Sequence, residues 1–129
     1  MGSPSPQAVL VAEDESQLLR LMERLLAHTG YEVLSARDGG AALASVAAHG
    51  ARIGIAVLDA AIVPRGAGEI LEALGKQGRA IGVVLTSGDA LEGDLRQLML
   101  DCDGIFLHKP FPPSALLRAL EDSLVKAEA

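Results

Sequence analysis

Five short apolar runs, each separated from the next by a helical pattern, limit what this chain can fold into more than any other feature. The runs are AVLVA (8–12), EVLSA (32–36), GIAVL (54–58), IGVVL (81–85) and GIFL (104–107), bounded by turn residues and of strand length. Between the first two, SQLLRLMERLLAHTG sets Leu18, Leu21, Met22, Leu25 and Leu26 on one helical face and stops at Gly30. Asp38 can cap a second helix over 41–49 that Gly50 closes. Residues 67–75 and 91–100 read as shorter helices whose periodicity Gly75 and Gly93 interrupt. The last helix, 114–126, aligns Leu116, Leu117, Leu120 and Leu124 behind Pro112 and Pro113. Strand and helix alternating five times imply a parallel sheet with helices on both faces and right-handed crossovers. In such a sheet, ligands bind beyond the carboxyl ends of the strands.

Composition narrows the class. At 129 residues the chain is one domain by size, and with half its residues apolar but only 2% aromatic its core must be built of Leu, Val, Ile and Ala. Eleven basic against 17 acidic residues give a net charge of −6 and no basic run, which argues against direct nucleic-acid binding. Cys102 is the single cysteine, so no internal disulfide can form and a reducing compartment is the natural setting. No apolar run approaches the roughly 20 residues of a membrane span, and no secretory signal pattern is present. A cytoplasmic domain with no membrane contact is expected over 8–127. The polar MGSPSPQ (1–7) reads as a tail outside the fold.

The expected carboxyl ends carry an unusual set of groups. Strand one ends in Glu13, Asp14 and Glu15, and strand three in Asp59. Strand four ends in Thr86, Ser87, Gly88 and Asp89, and strand five in His108, Lys109 and Pro110. A strand buried on both faces can carry a charge only where it emerges, so Asp59 taken alone is a solvated terminus or a helix cap. Three close carboxylates, however, repel one another and call for a cation. All-oxygen ligation suits Mg²⁺, and an ammonium beside it allows metal and phosphoryl oxygen to be held together, which is a phosphoryl-transfer arrangement.

Glu13-Asp14, Asp59, Ser87 and Lys109-Pro110-Phe111, each following an apolar run and in this order, resemble the receiver domain of two-component response regulators over about 9–125. The resemblance implies a flavodoxin-like, doubly wound α/β fold: a single domain with a five-stranded parallel sheet in the order 2-1-3-4-5 and five helices. It implies that Asp59 accepts a phosphoryl group from a histidine kinase or histidine phosphotransfer domain. Glu13, Asp14, Asp59 and the main-chain carbonyl of Ala61 would hold Mg²⁺, Lys109 would pair with a phosphoryl oxygen, and Ser87 would bond another. Ser87 is preferred to Thr86 because it precedes the small Gly88. Phe106, three before the lysine, matches the aromatic switch position, and the Lys109-Pro110 bond would be cis. Such a domain catalyses its own phosphorylation and dephosphorylation and is not a conventional enzyme. It would signal to a downstream protein partner through the surface of the fourth helix, fifth strand and fifth helix; a homodimer is left open.

Departures from the family pattern accompany the match. Pro64 stands five after Asp59 where most receivers place it four after, and Gly68 is displaced likewise, so the loop is one residue longer. Ala61 has no side chain to orient an attacking water, whereas Asp89 is acidic. A degenerate receiver that binds partners without phosphorylation is the alternative reading. A phosphoaspartate hydrolase of the haloacid dehalogenase type would need a second acid at Ala61 and fails there. An output domain is not expected within the chain, and the wording VLVAEDES, VLTSGDA and FLHKPF is similar to receivers at the end of hybrid sensor kinases.

Overall fold

The five apolar runs pair as one parallel sheet in the order β2-β1-β3-β4-β5. The strands are β1 (Ala8–Ala12), β2 (Glu32–Ala36), β3 (Ile53–Asp59), β4 (Gly82–Ser87) and β5 (Ile105–His108). They alternate with α1 (Ser16–His28), α2 (Gly39–His49), α3 (Ala67–Gly75), α4 (Gly93–Asp101) and α5 (Pro113–Glu128), and a 3-10 turn over Gly50–Arg52 follows α2. This is the flavodoxin-like doubly wound order expected. A computed structural model describes residues 8–128; the tail expected over 1–7 lies outside them.

Boundaries shift where local chemistry overrides the apolar pattern. β3 takes in Asp59, and β4 takes in Thr86 and Ser87, because ladder pairs Asp59 with Thr86 and Ser87 with His108 keep those polar residues within the sheet. β4 and β5 each begin one residue later than the apolar runs suggested. α2 starts at Gly39 rather than at 41, since Asp38 Oδ1 accepts the Ala41 amide at 2.7 Å and fixes the first turn. Gly93 has φ of +59°, a left-handed conformation that opens α4 instead of interrupting it.

Each strand side alternates between two cores. Val9, Val11, Ile55, Val57 and Val84 pack with Leu19, Met22 and Leu26 of α1 and Leu116 and Leu120 of α5. Leu10, Ala56, Leu58, Val83 and Leu85 point the other way, against α2, α3 and α4. β3 is buried at all seven positions. Each of its fully buried Ile and Leu side chains contributes about 1.5–3 kcal/mol from transfer out of water. β5, at the edge, alternates half-buried with exposed residues over only four positions, a short and charged-flanked edge of the kind that resists further pairing.

The alternation also sorts the rim. Glu13 continues the Val9 and Val11 series and Asp59 the Ile55 and Val57 series. Lys109 follows Ile105 and Leu107, which pack on the same core. All three therefore emerge on the α1 and α5 side of the sheet.

Candidate functional site

Glu13, Asp14 and Asp59 converge at the carboxyl ends of β1 and β3. One carboxylate oxygen from each lies within 4.8 Å of the others. Glu13 and Asp59 are only 2% and 5% exposed, whereas Asp14 stands in solvent. Register explains the convergence: β1 and β3 are adjacent, with Ala12 opposite Leu58, so the next residues along, Glu13 and Asp59, leave the sheet side by side. Lys109 reaches the pair from the end of β5. Its ammonium donates to Glu13 Oε1 at 2.8 Å and lies 3.4 Å from Asp59 Oδ2. The Lys109 amide donates to the Ser87 carbonyl at 2.8 Å, which ties the strand end down, and the Lys109-Pro110 peptide bond is cis, as expected.

Backbone donors complete the cradle. Glu13 Oε2 accepts the Glu15 amide at 3.1 Å, and Asp59 Oδ1 accepts the Ala61 amide at 3.0 Å. Burial pushes the Glu13 carboxyl above the ordinary glutamate value, against the pull of the Lys109 ammonium and the Glu15 amide. Burial alone would depress the Lys109 ammonium. Its hydrogen bond to Glu13 and the charges of Glu13 and Asp59 outweigh that and hold it above the ordinary lysine value. Three carboxylates thus face one ammonium, and with all of them ionised the cluster carries negative charge in excess. A hard divalent cation with oxygen ligands fits that donor set.

The two candidate hydroxyls lie on opposite sides of the sheet. Thr86 is directly opposite Asp59 and continues the Val84 series, on the side of the acidic cluster. Ser87 continues Val83 and Leu85, the series that faces α4. Its Oγ donates to the Asp89 carbonyl at 2.9 Å and accepts the Asp89 amide at 3.0 Å, closing a local turn. Phe106, opposite Leu85 in the ladder, lies on that same side. It is 40% exposed, meets the His108 ring edge-on at 6.1 Å, and lines a groove of about 350 Å³ with Arg96, Met99 and Leu100 of α4. The ends of β1, β3 and β5 thus bring Glu13, Asp14, Asp59 and Lys109 into one cluster, with Ser87 of β4 and Phe106 of β5 as a second pair beside it.

The family model for the response regulator receiver domain matches residues 9–121. This chain belongs to that family. The probable transcriptional regulator ycf27 of Galdieria sulphuraria is 30% identical to it over 110 residues, which cover 85% of this chain and 42% of that protein. The chain therefore spans less than half the length of that curated relative. Solved receiver domains share the fold. A response regulator receiver protein of Sinorhizobium medicae superposes with a TM-score of 0.80 at 25% identity, over 97% of this chain and 99% of the other. The signal receiver domain of an HD domain-containing protein from Pseudomonas fluorescens gives 0.81 at 20% identity, over 95% and 98% of the two chains. A receiver domain of Methanospirillum hungatei gives 0.80 at 24% identity, over 96% and 98%.

One residue of this receiver domain escaped the sequence reading. Gly39 was legible only as the residue after a helix cap, yet it receives the segment that follows Asp59, as described below. The signal was the Asp38-Gly39-Gly40 triplet, where capping accounts for the aspartate and leaves a buried glycine unexplained. Among the described residues, no helix is long and apolar enough to cross a membrane.

Proposed function

We propose that this domain is a phosphoacceptor in two-component signalling, with Asp59 receiving the phosphoryl group of a phosphohistidine on a histidine kinase or phosphotransfer protein. The observation that carries the reading is the Lys109 ammonium shared between Glu13 and Asp59 at 2.8 and 3.4 Å. A carboxylate oxygen of Asp59 attacks phosphorus; the new P–O bond forms as the P–N bond breaks, and the imidazole leaves with the bonding pair and takes up a proton. Glu13, Asp14, Asp59 and the Ala61 carbonyl are the residues that would hold Mg²⁺. When bound, the ion neutralises the charge that builds on the transferring oxygens.

This chain's own residues supply the rest. The Ala61 amide on Oδ1 orients the Asp59 carboxylate, which is largely buried at the carboxyl end of β3. Lys109 balances the added negative charge once the acyl phosphate forms. Thr86, directly opposite Asp59 and on the side of the acidic cluster, is the hydroxyl that would bond the phosphoryl group, in place of the expected Ser87, which faces α4 and is engaged in its turn with Asp89. Phe106, half out of the groove beside α4, neighbours the end of β4 across the β4–β5 ladder and can turn inward as Thr86 moves. That pair would pass the signal to the surface formed by α4, β5 and α5, where a downstream protein binds one state better than the other.

The test is incubation with Mg²⁺ and acetyl phosphate, followed by intact-mass measurement. One acid-stable, base-labile phosphoryl adduct is expected on the wild type and none on Asp59→Asn. Failure of the wild type to react with acetyl phosphate and with a phosphorylated histidine kinase alike would support the phosphorylation-independent binding module instead.

A further inference from the structure

We infer that Gly39 is a positioning residue for the segment that follows Asp59: its missing side chain lets that segment seat on the N-terminus of α2, and the seat fixes the main chain at Ala61. The inference deepens the phosphoacceptor reading above and rests on it for its meaning.

The seat is built from main chain on both sides. The Gly39 amide donates to the Val63 carbonyl at 3.2 Å. A Cβ placed on Gly39 would stand 1.6 Å from the Arg65 carbonyl oxygen, 2.5 Å from its carbonyl carbon and 2.8 Å from its Cα. None of these atoms belongs to a side chain that could swing aside. Gly39 is not among the residues with positive φ, so the position calls for a glycine on account of space, not of backbone conformation. Gly40, one residue on, is different: a Cβ there would meet only Asp38 Oδ1, at an ordinary 3.4 Å.

From the seat, a short chain of contacts leads to the reacting carboxylate. Ile62 is 2% exposed and plugs the core beneath α2 and α3. Its amide donates to the Asp59 carbonyl at 3.1 Å, and the Ala61 amide donates to Asp59 Oδ1 at 3.0 Å. Residues 60–65 are therefore held at Asp59, at the Ile62 plug and at Gly39. Any side chain at Gly39 must drive the Arg65 carbonyl from 1.6 Å out to at least 3.0 Å. That displacement pulls on Val63, whose carbonyl is bonded to the Gly39 amide, and through the Val63–Ile62 peptide on the Ile62 amide bonded to the Asp59 carbonyl, with Ala61 between them. Shifts of this size at groups that orient a reacting or ligating atom are felt strongly.

The experiment compares Gly39→Ala with Gly40→Ala in the full chain, titrating Mg²⁺ without a phosphodonor while following backbone amide resonances. Gly40→Ala should match the wild type. Gly39→Ala should raise the Mg²⁺ dissociation constant by about tenfold or more, and should move the Ala61 resonance in the metal-free protein. A merely structural glycine would lower the melting temperature and leave both readings where they were, and that result overturns the inference. If Gly39→Ala does not fold, the wild type decides. Because coupling is reciprocal, saturating Mg²⁺ should slow hydrogen exchange at the Gly39 amide severalfold and leave that of Val46 in the same helix unchanged. An unchanged Gly39 amide overturns the inference. Failure of the wild type to take up phosphate from acetyl phosphate would sink the phosphoacceptor reading alone, since the metal and resonance readings do not depend on it.

Discussion

The two ends of the sheet use charge in opposite ways. At the amino end, the Arg79 guanidinium donates to the carbonyls of Gly50 and Ile53, clasping the 3-10 turn and the start of β3 from the α3–β4 connection. A cation is paired there with neutral main chain. At the carboxyl end, Lys109 serves two carboxylates at once, and a third stands beside them. That end keeps charges of one sign together in a largely buried place, which is unfavourable for the fold and useful only to something that arrives with the opposite charge. The same sheet thus stabilises itself at one end and holds its chemistry in readiness at the other.

Removing Lys109 should strain that contrast most. Lys109→Met leaves Glu13 and Asp59 buried without their shared cation, and a loss of order 3 kcal/mol in unfolding free energy at pH 7.5 is expected. Urea titration measures it. The loss should shrink as the pH is lowered, because Glu13, whose carboxyl is pushed above its ordinary value by burial, takes up a proton and removes one of the stranded charges. A pH-independent loss would mean that Lys109 acts through packing of its methylenes and not through charge.

The amino-end clasp predicts a smaller effect with a different signature. Arg79→Ala removes two charge-assisted bonds to partly buried carbonyls that water can reach in part, so about 1–2 kcal/mol of stability should go. Phosphorylation by acetyl phosphate should be unchanged in rate under conditions where the variant is folded. A slowed reaction would show that the two ends are coupled and that the division drawn here is false.

How much of this was legible in the sequence depends on what kind of information each feature carries. Strand identity was readable because apolar side chains and turn residues are local signals, and the acidic pair, Asp59 and Lys109 were readable because a parallel sheet gathers carboxyl ends on one rim. Boundaries at Thr86 and Ser87 were not, since ladder pairing to β3 and β5 holds polar residues in a strand that hydropathy ends at Leu85. The separation of the two hydroxyls onto opposite sheet sides follows only once that extension is known. Gly39 was the least readable. Its partner lies 26 residues away at Arg65, and the contact is made by main-chain atoms that leave no mark on side-chain pattern.

The subtlest consequence of the contrast is a pH slope. Glu13 has a folded-state pKa raised above its unfolded value of 4.5, so the folded protein binds the extra proton. Its contribution to stability is then complete below 4.5 and is lost as pH rises through the raised pKa. Lys109 has the same sign in a different window: its contribution persists up to the unfolded value of 10.5 and is lost in alkali beyond it. The exposed pairs Glu32–Arg52 and Glu69–Arg65 run the other way, their glutamates being lowered, so their contributions are lost as pH falls below 4.5. Above pH 4.5 the surface pairs are flat, and a decline in metal-free stability as the pH rises beyond that value reports Glu13. Glu13→Gln should abolish that decline, and saturating Mg²⁺ should do the same in the wild type by favouring the ionised carboxylate. A decline that survives both changes would place its source away from the rim.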